Sequence, residues 1–122
     1  MSKYHSRKIT KDGITFDSIK EYRRWCELSL LEKAGEITNL KRQVRFTLIP
    51  SQREFSGEIG KNGRFKKGKL LERSCVYIAD FTYYKQPQNK FVVEDVKGVK
   101  TDAYVIKRKL MLHLHGIRIH EV

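Results

Sequence analysis

The alternation of apolar and polar positions divides the chain into strands and two helices. KITKDGITF, Lys8 to Phe16, alternates about Asp12-Gly13, a pair that supplies the positive φ angles of a type I′ turn, and predicts a short hairpin. Ser18 with Glu21 three residues later has capping-box spacing. Apolar residues then recur through EYRRWCELSLLEKAG to Gly35, so a helix is expected from Ser18 to Ala34. QVRFTLIP, Gln43 to Pro50, predicts a strand that Pro50 ends. CVYIADFTYY and KFVVEDVK flank the short linker KQPQN and predict an antiparallel hairpin. TDAYVIKRKLMLHLHG has a Thr-Asp start, recurring apolar residues and a glycine stop, the marks of a second helix. IRIHEV predicts a last short strand. Strand, helix, strand in that order implies a crossover that sets the final strand parallel to its neighbour. The expected fold class is α/β, a mixed β-sheet flanked by helices, in one domain over residues 1–122.

Charge adds a partner to this picture. The 122 residues carry 26 Lys and Arg against 14 Asp and Glu, a formal net charge of +12, and such a field attracts polyanions. Residues 1–8 form a basic arm. Residues 53–73 hold seven basic side chains against three acidic ones and four glycines, which reads as a mobile basic loop or a long hairpin. Nucleic acid is the leading partner. Cys26 and Cys75 have no CxxC spacing, MSKYHSRK lacks an apolar signal region, and no apolar run is long enough to span a membrane. A reduced, cytoplasmic compartment with no membrane partner is expected.

Candidate chemistry lies in VVEDVKG, Val92 to Gly98, a buried-strand pattern that gains two acids and a lysine before it stops. A turn centred between Pro87 and Gln88 pairs Tyr84 with Phe91, Thr82 with Val93 and Asp80 with Asp95. Side chains alternate along a strand, so Asp95 and Lys97 share a face with Asp80 while Glu94 points away. Opposed residues have Cβ atoms about 4.5–5.5 Å apart, and like charges there destabilise unless something neutralises them. A divalent cation does so, with carboxylate oxygens, water and phosphate as the ligands Mg²⁺ accepts. A slip of one residue in register removes the site. A structural salt-bridge cluster at a sheet edge is the rival reading.

YIADFTY followed by VVEDVKG resembles the bipartite signature of the PD-(D/E)xK nuclease superfamily, with Asp80 as first acid and Asp95-Val96-Lys97 as second acid, spacer and lysine. YHSRKITKDGITFDSIKEYRRWCELSLLEKAGEI and KRKLMLHLHG are similar to the matching segments of small phage and prophage proteins in that superfamily, a family of unknown function. Ala79 stands where the proline of the superfamily's name would precede the first acid, and residues 53–73 are less typical. The resemblance implies a restriction-endonuclease-like core and a Mg²⁺-dependent endodeoxyribonuclease, with Mn²⁺ as a substitute. It implies that Asp80, Asp95, the Val96 carbonyl and Glu21 hold the metal, and that Lys97 orients water and stabilises charge. Hydrolysis of this class leaves 5′-phosphate and 3′-hydroxyl ends. A phage-encoded protein of this kind would act in the bacterial host cytoplasm.

The expected DNA contacts are Lys3, His5, Arg7 and Lys8 in the arm, Lys66 and Lys67 in the 53–73 segment, Lys107 with Arg108 and Lys109 behind it, and Gln43 at the opening of its strand. Spacing alone favours a capping role for Glu21, and only the resemblance turns it towards the metal. Glu94 is expected to be solvated or paired elsewhere. Trp25 and Tyr22 read as packing. His113 and His115 are two apart on a helix, about 200° around its axis, and cannot share a metal. No recognition motif for base sequence stands out, which favours structure-selective or weakly sequence-selective cleavage. Two other functions stay open. One is a Holliday-junction or branched-DNA resolvase, which requires a homodimer; the other is a non-catalytic nucleic-acid-binding accessory protein on a nuclease scaffold.

Overall fold

The computed structural model describes residues 7–122. It opens with a hairpin of β1 (Ile9–Lys11) and β2 (Ile14–Phe16), whose turn residues Asp12 and Gly13 both have positive φ, 52° and 77°. Helix α1 (Ile19–Lys33) follows, then β3 (Ile37–Ile49), β4 (Gln52–Ile59), β5 (Phe65–Glu72), β6 (Cys75–Lys85), β7 (Lys90–Asp95), α2 (Asp102–His115) and β8 (His120–Glu121). A four-stranded sheet has the order β3-β6-β7-β8, antiparallel except for the last pair. The fold is mixed α/β with two helices, as the pattern predicts. Helix α2 is the crossover that lets β7 and β8 run parallel.

Local chemistry fixes both helices. The Ser18 hydroxyl accepts the Glu21 N–H at 3.1 Å, and the Thr101 hydroxyl accepts that of Tyr104 at 3.1 Å. Gly35 and Gly116 follow the helix ends at φ 79° and 66°, left-handed values that glycine adopts without strain. The packing then separates into two clusters. Leu28 of α1 meets Ile37, Phe81 and Tyr83, while Tyr104 and Met111 of α2 meet Leu48, Tyr77, Ala79, Val93 and Ile119. Val92 of β7 and Val96 just beyond it pack with the α1 cluster, and Val93 of β7 with the α2 cluster. Alternate strand residues face opposite ways, so the helices cover opposite faces of the sheet. As expected, Trp25 and Tyr22 are packing residues: Trp25 stacks on Phe81, and Tyr22 meets Phe16 edge-on.

Three boundaries differ from the sequence reading. Strand β3 begins at Ile37, six residues before Gln43, so Gln43 does not open it. Residues 53–73 take the hairpin form of the two alternatives, as the β4–β5 ribbon. The final strand is reduced to His120–Glu121. Among the described residues, no helix is long and apolar enough to cross a membrane.

Candidate active site

The β6–β7 register contains the expected pairs Thr82–Val93 and Tyr84–Phe91, and regular pairing ends at Phe81–Glu94. One step further, the Val96 N–H leaves the ladder and donates to the Asp80 carboxylate, Oδ2, at 2.8 Å. The side chain of Asp80 thus caps the strand pair and brings its own carboxyl beside that of Asp95. Burial pushes the Asp80 carboxyl up to about 7, with the charges of Asp95 and Glu21 acting in the same direction and the Val96 N–H opposing them.

Asp95 is only 1 % exposed. Its Oδ2 accepts the phenol proton of Tyr77, while its Oδ1 is buried with no hydrogen-bond donor and has the Lys97 ammonium 3.3 Å away. Burial and the Asp95 carboxylate hold the Tyr77 phenol well above its ordinary pKa, so Tyr77 remains a donor. Lys97 also lies over the ring of Tyr104, 4.5 Å from its centroid. Tyr104 in turn donates to Glu121 at 2.7 Å, and Arg108 and Lys100 each approach Glu121 at 3.2 Å. The shelf beneath Lys97 is therefore tied to both α2 and β8.

Glu21 enters from α1, 3 % exposed. The expected capping box is only half formed: Ser18 caps Glu21, but the Glu21 carboxylate accepts from the Asp17 N–H at 3.2 Å and not from that of Ser18. Its other oxygen lies 3.2 Å from the Gln43 amide nitrogen and 3.6 Å from Arg42. The same Gln43 nitrogen reaches Asp80 Oδ1 at 3.4 Å. Gln43 therefore bridges the two acids from the middle of β3, where φ of 51° marks a local break in the strand. Burial raises the Glu21 pKa, opposed first by the Asp17 N–H.

The expected residues thus separate by position. Asp80, Asp95, Val96 and Lys97 meet at the end of the β6–β7 pairing, and Glu21 joins them through Gln43. Lys107 is half-buried in the second turn of α2 and enters no ion pair among the described residues, whereas Arg108 is committed to Glu121. Lys66 and Lys67 are exposed on the ribbon, and Arg7 and Lys8 are exposed ahead of β1. Lys3 and His5 lie outside the described residues. His113 is exposed, and His115 contacts the Thr47 carbonyl at 3.0 Å.

Glu94 faces the other way, as expected, and is fully buried. Arg24 grips it with two bonds of 2.8 and 2.7 Å, and Tyr83 donates a third. A cavity of about 560 Å³ lies on this side, lined by Arg24, Tyr83, Lys85, Pro87 and His120 among others, away from Asp80 and Asp95.

Tyr77 and Arg42 were not apparent as site residues in the sequence. Tyr77 has the opposite strand parity to Asp80, which hides its contact with Asp95. In the fold, Ala79 serves the α2 cluster and Phe81 the α1 cluster, although residues two apart on a regular strand share a face. Asp80 sits at that exchange.

Among the described residues, no group of three or more His, Cys, Asp or Glu forms a ready metal-holding cluster. Asp80, Asp95 and the adjoining main chain nevertheless offer oxygen donors. Asp95 Oδ1 is paired with the Lys97 ammonium but has no hydrogen-bond donor aligned on it, and its remaining lone pair is of the kind a hard cation accepts.

A family model described as "Protein of unknown function (DUF1064)" matches residues 1–121. The chain belongs to the DUF1064 family. No curated protein and no solved structure matches it. The two acids, the lysine and the Gln43 bridge all lie within the DUF1064 match, as does the β4–β5 ribbon.

Proposed function

We propose that this DUF1064 protein is a metal-dependent DNA endonuclease with a restriction-endonuclease-like core, as its resemblance to the PD-(D/E)xK superfamily implies. The observation that carries this reading is the Asp80–Asp95–Lys97 group, in which a buried carboxylate oxygen has no donor and a lysine stands beside it. That oxygen has the Lys97 ammonium as an ion-pair partner but no hydrogen-bond donor aligned on it, which leaves a lone pair open to a metal ion and supports chemistry over a purely structural cluster.

In this reading Asp80, Asp95 and the Val96 carbonyl hold Mg²⁺, with Glu21 fixing Asp80 through Gln43 or supplying a further oxygen. The metal would polarise the scissile phosphate and lower the pKa of bound water. Tyr77 fixes Asp95 so that Oδ1 remains directed at the site. Lys97, held by Tyr104, places a positive charge where the phosphate gains negative charge. Lys107 is available to a phosphate because no acid among the described residues pairs with it. DNA is the proposed substrate, consistent with the net charge of +12.

The test compares wild type with Asp95→Asn and Lys97→Ala on linear, nicked, flapped and four-way-junction DNA, with Mg²⁺, Mn²⁺ or EDTA. Metal-dependent cutting that falls by about 10²-fold or more in both variants, while DNA binding persists, is the expected result. Binding of every DNA form without cutting would replace this reading with the accessory-protein one.

A further inference from the structure

The β4–β5 ribbon has no evident role in building the sheet. Its strands pair only with each other, and it is inserted between β3 and β6 beyond their last pair, Ile49–Cys75. Every side-chain hydrogen bond and ion pair found for it is internal, as in Arg53 to the Gly68 carbonyl and Lys66 to Glu58. It nevertheless displays aromatic and aliphatic groups to solvent: Phe55 is 75 % exposed, Ile59 64 % and Phe65 59 %. The Phe55 and Phe65 rings meet edge-on at 4.9 Å, and Ile59 is the strand partner of Phe65, so these three form one apolar patch. Lys67 pairs with Phe55 and places a cation beside it. A lone two-stranded ribbon is marginal in water, and an exposed apolar patch on it calls for an occupant.

Charge selects that occupant. Residues 52–72 contain six Lys and Arg against three Asp and Glu. A second copy of the chain would bring like charge to like charge, whereas a polyanion is attracted. Phenylalanine and isoleucine give no hydrogen bond to base edges, so the patch is poorly suited to reading a closed duplex. Exposed aromatic faces between cations do suit unpaired bases, which stack on them while the phosphates meet the lysines.

We infer that the β4–β5 ribbon is a base-stacking arm by which the protein engages DNA with unpaired bases, with Phe55 and Phe65 as the platform and Lys67 as a phosphate contact. By chain length, Phe65 lies at most on the order of 50 Å from Asp80, so one branched or gapped molecule can reach both. The inference rests on the nuclease reading for its choice of DNA, and it concerns binding alone.

The test is fluorescence anisotropy of the full-length protein in EDTA, with single-stranded, gapped and blunt duplex DNA of equal length. Phe55→Ala and Phe65→Ala are expected to weaken single-stranded and gapped binding by about tenfold or more and to leave duplex binding within about twofold. Phe55→Trp is expected to restore the wild-type preference, and Phe55→Leu, which keeps the apolar contact but loses the ring, is not. Equal binding by wild type and both alanine variants overturns the inference, as does an equal loss on all three DNAs. A wild-type dimer that Phe55→Ala dissociates overturns it in favour of a self-interface. Cutting is scored separately with Mg²⁺. A protein that prefers unpaired DNA through Phe55 but never cuts loses the nuclease reading and keeps the arm; one that cuts while ignoring Phe55 does the reverse.

Discussion

At the residue scale, one phenol determines how the second acid is presented. Tyr77 occupies Asp95 Oδ2 and leaves Oδ1 without a donor. Tyr77→Phe removes that bond at a buried carboxylate, and a loss of about 1–3 kcal/mol in stability is expected. Divalent-ion affinity should fall as well, because Asp95 is freed to rotate. Thermal melts with and without Mn²⁺ check both effects; an unchanged metal-induced rise in Tm would show that Tyr77 does not position the acid. The contact also marks a limit of sequence reading. Turn length gave the pairs Thr82–Val93 and Tyr84–Phe91, but the Asp80–Asp95 pair expected beyond them is not formed in the ladder, and the Tyr77 contact depends on the change of side at Asp80, which alternation does not encode.

Asp80 gives a pH signature at the same scale. Its carboxyl rises to about 7 in the folded protein, mainly through burial, against an ordinary value of 3.8. Between those values the folded state holds a proton that the unfolded state has released. The contribution of Asp80 therefore favours folding at low pH, declines as pH rises from about 4 to 7, and is flat above. A divalent ion held by Asp80, as proposed, would compete with that proton. Metal stabilisation is thus expected to be small at pH 5.5 and large at pH 8, measured as the Tm difference between Mg²⁺ and EDTA. In Asp80→Asn the metal-free decline due to this group should disappear; a wild-type metal effect equal at both pH values would contradict the assignment.

At the element scale, helix α1 is fastened to β7 by the Arg24–Glu94 pair, with Tyr83 as a third partner. Arg24→Ala leaves a fully buried carboxylate without its cation, and a cost of about 3–5 kcal/mol is expected. The Arg24→Met/Glu94→Leu double variant should recover part of it, since removing both charges avoids the unpaired one. Chemical denaturation of the three proteins measures the difference. Alternation did place Glu94 away from the site, but its partner on α1 lies seventy positions back in the chain, beyond the reach of any local pattern.

The ribbon shows a similar limit in backbone form. Composition left residues 53–73 as loop or hairpin, because glycines and charges obscure strand alternation. The strands approach so closely at Gly68 that an added Cβ would lie 1.8 Å from the Glu54 carbonyl oxygen. Gly68→Ala must therefore open the ribbon. Amide exchange across β4 and β5 is expected to quicken while β6 and β7 stay protected, and a ribbon as protected as wild type would refute that packing. Gln43 is the counterpart in β3. The sequence reading set it at the opening of its strand as a DNA contact, and the positive φ that turns it towards Glu21 and Asp80 has no sequence signal.

At the scale of the whole molecule, net charge and its local partners make different predictions. The +12 total attracts any polyanion, and on the DNA-binding reading only cations without acidic partners contribute fully to the salt dependence when they meet phosphate. Lys66 already lies 3.7 Å from Glu58, whereas Lys67 enters no ion pair among the described residues. Lys67→Ala is therefore expected to reduce the slope of log K against log salt by about 0.9 on duplex DNA and about 0.7 on single strands, if each replaces one phosphate contact. Lys66→Ala should change it less. Asp95→Asn should preserve the slope while abolishing cutting, because it removes chemistry and no phosphate-binding cation. Titrations from low to physiological salt in EDTA decide the matter. A slope insensitive to Lys67 would place any DNA path off the ribbon, and on the DNA-binding reading Arg7, Lys8 and Lys107 would then be the candidates for the backbone contacts.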